Sequence, residues 1–181
     1  MESLIQSQGI HHITLNGANR ETSINFWQNI LGMRLVFEQP NLDDTSINHL
    51  YFDSGDGSTT ITVFTDENRL PLKSCFKNKI GSIHHLAFSV SQNALTIAEK
   101  NLRENGFSNT GIKDRGFMDS LYFREPLGLL IELACYKFEP PLGLTHVSVL
   151  NKAQDLRLKR KANNIENIDI STAIKQLKNT G

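Results

Sequence analysis

Ile10-His11-His12-Ile13-Thr14 and Ile83-His84-His85-Leu86-Ala87 are two versions of one phrase. Each leads into an alternating run: His12-Ile13-Thr14-Leu15-Asn16 in the first, His85-Leu86-Ala87-Phe88-Ser89-Val90 in the second. Period-two alternation of apolar and polar side chains marks a strand with one covered face. Working outward, residues 9–66 overlie residues 81–137 as an internal repeat. The pattern predicts a helix after each first strand, over about 20–31 and 93–104, closed by Gly32 and Gly106. Three strands follow in each half. In the first they centre on 33–37, 49–52 and 59–64; in the second, near Ile112 and on 120–123 and 129–134. The turns Asp53-Ser54-Gly55-Asp56-Gly57 and Glu125-Pro126-Leu127-Gly128 suit the hairpins between the last two strands. Each half therefore reads as βαβββ. One such sheet leaves a face uncovered, so two units must pair.

The predicted fold is α+β: two βαβββ modules, 9–66 and 81–137, joined by a linker at 67–80 within a domain 1–137. Residues 138–181 depart from the repeat. Pro140-Pro141 stops the last strand, and helices are predicted at about 152–161 and 170–178, an extension packing on the sheet exterior or on a partner subunit.

Composition narrows the function classes. The chain has 181 residues, 39% hydrophobic and 21% charged, with zero formal net charge. No basic stripe is available to neutralise phosphates, which argues against nucleic acid as a partner. Arg157-Leu158-Lys159-Arg160-Lys161 reads as a solvated helix face. No apolar run reaches the ~18 residues that span a bilayer, and Met1 to Gln8 has neither the basic nor the apolar part of a signal peptide. Cys75 and Cys135 are in no paired motif, so a reducing cytoplasm is the expected location.

The residues that carry chemistry follow from the repeat. His12 and His85 hold equivalent places, and both precede their strands in the inward phase. Glu132 lies in the apolar run Leu129-Leu130-Ile131-Glu132-Leu133-Ala134. A carboxylate buried there needs a cation or donors. Two imidazoles and a carboxylate form a metal triad with open positions, the donor set of non-haem Fe(II) sites. The first-half counterpart of Glu132 is Thr62, a poor ligand, which keeps the protein ligands at three.

With these residues in place, the chain resembles the vicinal oxygen chelate superfamily of glyoxalases, bleomycin-resistance proteins and extradiol dioxygenases. The resemblance runs over about residues 9–137. Its motifs are the histidine before the first strand, the helix end from Trp27 to Leu31-Gly32, and Pro126-x-Gly128-x-x-x-Glu132. A closer similarity is to ring-cleaving dioxygenases of hydroquinones. It rests on Ile10 to Thr14, Asn48 to Phe52, and Asp114-Arg115-Gly116-Phe117-Met118-Asp119-Ser120-Leu121-Tyr122-Phe123-Arg124-Glu125-Pro126.

That resemblance implies a glyoxalase-like open barrel and an enzyme that inserts both atoms of O2 into a hydroquinone or catechol ring. It implies Fe(II), with Mn(II) the alternative, on His12, His85 and Glu132. His11, His84, Arg115 and Tyr122 take catalytic roles, and Thr14 and His49 bind substrate. Arg115 would stabilise a phenolate, Tyr122 would hydrogen-bond the substrate oxygen, and His84 or His11 would act as base. The hydroquinone enzymes are about twice as long, which implies a homodimer here. Two other readings stand beside this one: a metal-dependent lyase or isomerase of the glyoxalase type, and a non-catalytic small-molecule binding protein.

Overall fold

The computed structural model describes residues 7–71 and 80–179. Cys75 and most of the predicted linker lie outside them. The strands form two four-stranded mixed sheets, neither closed into a barrel. The first has the order β1-β4-β3-β2, from β1 (His12–Asn16), β2 (Leu35–Pro40), β3 (Asn48–Asp53) and β4 (Thr60–Thr65). The second has the order β5-β8-β7-β6, from β5 (His85–Ser89), β6 (Asn109–Asp114), β7 (Met118–Arg124) and β8 (Leu130–Tyr136). In each, the first strand pairs in parallel with the last, and the remaining neighbours whose register is known are antiparallel. The chain divides into two compact units, Met1–Ser82 with Arg124–Leu129, and Ile83–Phe123 with Leu130–Gly181.

Within each unit alternation separates a packed face from a chemical face. Leu50, Phe52, Ile61 and Val63 are buried in the first; Leu121, Phe123, Ile131 and Leu133 hold the equivalent places in the second. The helices contribute Phe26 and Trp27 to the first core and Leu95 and Leu102 to the second. The residues between them on the strands, Tyr51 and Thr62 or Tyr122 and Glu132, point to the other face. Gly17 ends β1 where a Cβ would collide with Val63, and its N–H donates to the Phe64 carbonyl at 2.8 Å.

The first helical segment differs from the even helix predicted over 20–31. α1 (Arg20–Ile24) starts at Asn19, whose side chain accepts from the Thr22 N–H, and then widens into a π-helical turn over Asn25–Ile30. The Leu31 N–H reaches the Phe26 carbonyl five residues back. The widened turn goes with two adjacent large rings, Phe26 and Trp27, each 1% exposed and packed edge to face. α2 (Gln92–Glu104) is capped by Ser91 and ends before Gly106, whose φ of +82° suits glycine.

The C-terminal helices are longer than predicted. α3 spans His146–Arg160 and α4 Asn167–Lys178. The run Thr145-His146-Val147-Ser148-Val149-Leu150 alternates and is rich in β-branched residues, which disguises a helix. Thr145 caps it through the Ser148 N–H, and Val149 is fully buried against Ala153, Ile170 and Ala173. Phe117 and Phe138 pack on this cluster and tie the helical pair to the second unit. Among the described residues no helix is long and apolar enough to cross a membrane.

Candidate metal centre

The second unit holds the denser constellation. β5 and β8 run parallel with His85 opposite Leu130 and Ala87 opposite Glu132, so His85 and Glu132 share a face. His85 Nε2 lies 2.9 Å from Glu132 Oε2, and the Tyr122 hydroxyl donates to Glu132 Oε1 at 3.0 Å. Both carboxylate oxygens of a residue only 3% exposed are thus engaged. His84 Nδ1 lies 2.8 Å from His85 Nδ1, with the rings edge to face. With Nε2 donating to Glu132, a neutral His85 accepts at Nδ1 from His84; as a metal ligand through Nε2 it would donate from Nδ1 instead.

The pair fits a divalent ion. Neighbouring ligands around an ion with ~2.1 Å bonds stand about 3 to 3.4 Å apart, so two donors already 2.9 Å apart in a hydrogen bond need only a small shift to share an ion. One imidazole nitrogen and one carboxylate oxygen suit Fe(II), Mn(II) or Zn(II) by type.

Arg115 belongs to the same neighbourhood. It lies in the β6–β7 hairpin, its N–H donating to the Met118 carbonyl, and its guanidinium stands over the Tyr122 ring at 5.4 Å. Lys137, just past β8, clamps this hairpin by bonding Asp114 at 2.7 Å and Asp119 at 3.1 Å. The bond from Lys137, with the Gly116 N–H, holds the Asp114 carboxyl below its ordinary range, and Asp114 raises the Lys137 ammonium in return. The sequence reading passed over Lys137 and Asp119. Two acids flanking Arg115 were the available signal, but their cation comes from another strand. A cavity of about 330 Å³ opens on this face, lined by His85, Ala87, Phe88, Ser89, Met118, Glu132, Ala134 and Tyr136.

The first unit carries the other candidates. His11 and His12 repeat the second pair's arrangement, with Nδ1 atoms 2.8 Å apart and rings edge to face. Thr62 takes the register place of Glu132, opposite Thr14 in the parallel β1–β4 ladder. It donates to the Thr14 hydroxyl at 2.8 Å. His49 and Tyr51 project side by side from β3, His49 Nδ1 lying 3.0 Å from the Tyr51 hydroxyl. His49 also leans on Phe64, and Tyr51 stacks on Phe37. Burial, and then the nearby His12, push the His49 imidazole toward its neutral form. Its Nε2 is buried with no hydrogen-bond partner among the described residues. Among those residues no three His, Cys, Asp or Glu side chains are grouped as a ready metal cluster. Cys135 carries a free thiol and is half-buried.

A family model for the Glyoxalase/Bleomycin resistance protein/Dioxygenase superfamily matches residues 9–133. The chain belongs to that superfamily. Among curated superfamily relatives, one from Bacillus subtilis (strain 168), named "Putative ring-cleaving dioxygenase MhqA", is 31% identical over 129 residues, covering 70% of this chain and 39% of its own. The chlorohydroquinone/hydroquinone 1,2-dioxygenase of Sphingobium indicum (strain DSM 16413 / CCM 7287 / MTCC 6362 / UT26 / NBRC 101211 / UT26S) is 28% identical over 143 residues, covering 77% and 40%. The chain thus spans about two-fifths of the length of these curated relatives. A solved Bacillus subtilis subsp. subtilis str. 168 structure matches with TM-score 0.61 and 28% identity, over 72% of this chain and 41% of that one. The fosfomycin resistance protein FosX of Listeria monocytogenes, solved with Mn(II), matches in fold with TM-score 0.54 and 20% identity, over 71% of this chain and 92% of its own. The curated relatives thus carry ring-cleaving dioxygenase names, and a protein of similar fold was solved with Mn(II).

Proposed function

We propose that this protein is a non-haem dioxygenase that cleaves the ring of a hydroquinone or catechol, with Fe(II), or Mn(II) in its place, held by His12, His85 and Glu132. The observation that carries the reading is the His85–Glu132 pair, 2.9 Å apart, with the Tyr122 hydroxyl on the second carboxylate oxygen. His12, which holds the place of His85 in the first copy of the repeat, would be the third donor. When bound, the ion supplies the electron transfer that lets O2 react with an electron-rich ring.

The chain's own residues prepare the substrate. His84 would orient the His85 ring by accepting its Nδ1–H, and would take the hydroxyl proton as base by releasing that hydrogen bond. Arg115 presents a permanent cation beside Tyr122, where it favours the phenolate over the phenol. Tyr122 donates to Glu132, fixing the carboxylate, and can pass a proton to or from a substrate oxygen. Thr14 and His49 would be substrate-binding residues. His49 Nε2, lacking a partner, suits a second ring hydroxyl, and His11 would steady His12 as His84 steadies His85. A homodimer is part of the same reading, and sedimentation at twice the 20.4 kDa chain mass tests it.

The test of activity is oxygen uptake by anaerobically Fe(II)-loaded protein given a panel of hydroquinones and catechols. Uptake that disappears in His85→Ala supports the reading. Full iron binding with no uptake on any phenol favours the metal-dependent lyase or isomerase chemistry of other superfamily members.

A further inference from the structure

We infer that Tyr136 is a specificity-determining wall of the Glu132 cavity, and that the C-terminal helical pair holds its ring in place. The inference deepens the reading above, in which that cavity receives an aromatic ring.

On β8, Glu132, Ala134 and Tyr136 share one face. Glu132 carries the polar end of the cavity and Tyr136 its far end, about 13 Å along the strand. Of the remaining lining, Ala87, Ser89 and Ala134 are short, Met118 is flexible, and Phe88 alternates to the opposite face of β5 from Ala87 and Ser89. The volume of about 330 Å³ is at the low end for small-molecule sites and suits a single ring. Tyr136 is the largest side chain at the end remote from the donors, so its position decides whether a longer ligand fits.

The ring is not free to swing. His146, the first residue of α3, stacks on it with centroids 4.3 Å apart and planes within 15°. Phe138 lies 5.3 Å from both rings, and His146 Nε2 is 3.3 Å from the Phe138 carbonyl oxygen. Phe117 lies 6.4 Å from Tyr136, and Phe117 and Phe138 both pack on the buried α3–α4 cluster. The position of α3, set by its packing on α4, is thereby transmitted to the cavity wall. The extension that departs from the repeat acquires a role: it fixes the size limit of the site.

The test uses full-length protein with methyl-13C methionine, following the Met118 resonance anaerobically. The panel is hydroquinone and benzyl alcohol as single rings, and 1,4-naphthalenediol and naphthalenemethanol as fused pairs. In the native chain the single rings should shift Met118, and the fused pairs should bind at least tenfold more weakly. Tyr136→Ala should remove that difference, His146→Ala should reduce it, and His146→Phe should preserve it. Tyr136→Phe keeps the stack and checks that any loss is not a folding defect, with the circular dichroism spectrum and thermal midpoint as fold markers. An unchanged size preference in Tyr136→Ala, or no shift of Met118 by any aromatic, overturns the inference. If non-phenolic rings bind as well as phenols while the preference still follows Tyr136, the inference stands and the phenol reading of the site fails.

Discussion

Glu132 sits between Ile131 and Leu133, and both of its oxygens are already engaged, by His85 and by Tyr122. A carboxylate so placed is specified by its partners, and each partner can be removed singly. Glu132→Gln should lower divalent-metal affinity more than hundredfold, read by calorimetric titration with Mn(II). Tyr122→Phe leaves the ligands in place, so it should cost about ten- to hundredfold in metal affinity or turnover. Unchanged values in both would return Tyr122 to packing.

Glu125 is a different case. Burial raises its carboxyl to about 6, against the N–H bonds from Leu127 and Leu129 that oppose the shift. A folded value above the unfolded one, about 4.5, means full stability below pH 4.5 and loss as pH rises through 6. Glu125→Gln should therefore stabilise the protein by up to about 2 kcal/mol at pH 7 to 8. The gain should vanish below pH 4.5; urea melts at several pH values measure it. At this scale His12, His85 and Glu132 stand out in the chain because the His-His phrase occurs twice and a lone acid interrupts an apolar run. The 2.9 Å between His85 and Glu132 was not legible, because it depends on the parallel register of two strands distant in sequence.

Among the elements, the β6–β7 hairpin shows how a site residue is aimed. Arg115 projects from a turn, where a long side chain has many conformations, yet Lys137 bonds the acids on both sides of the turn. Lys137→Ala should leave the thermal midpoint within a few degrees, since the clamp is partly solvent-exposed. It should lower turnover by loosening Arg115 over Tyr122, with the phenolate-dependent limb of the pH–rate profile displaced upward. Lys137→Arg should restore much of the loss. Strand and helix order was legible from alternation and turn residues. The π-helical turn and the early start of α3 were not. Both are decided by tertiary burial, of Phe26 with Trp27 and of Val149, against local pattern.

For the molecule as a whole, two copies of one βαβββ unit have diverged, and one register place carries Thr62 in the first and Glu132 in the second. The C-terminal pair of helices is added to the second. That addition is held by Arg160, which grips both oxygens of Asp169 at 2.8 and 2.7 Å, and by the capping contact between Asp169 and Glu166. The Arg160 bond keeps the Asp169 carboxyl at about 2, so its contribution is present above the ordinary carboxylate range and is lost as pH falls toward 2. Asp169→Asn should lower the thermal midpoint by several degrees at pH 7, and the deficit should shrink on acidification, by calorimetry at each pH. The extension was legible as helical but not in its use, because the stack of His146 on Tyr136 joins residues that no local pattern connects.

The proposed reaction opens an aromatic ring by adding both atoms of O2 to it. It is tested most directly by reacting the Fe(II)-loaded protein with hydroquinone under 18O2 and weighing the product. A ring-opened product carrying two labelled oxygens, absent in Glu132→Gln, is the predicted result. Oxygen consumed with only unlabelled quinone and labelled peroxide formed, or no oxygen consumed with iron fully bound, would contradict it.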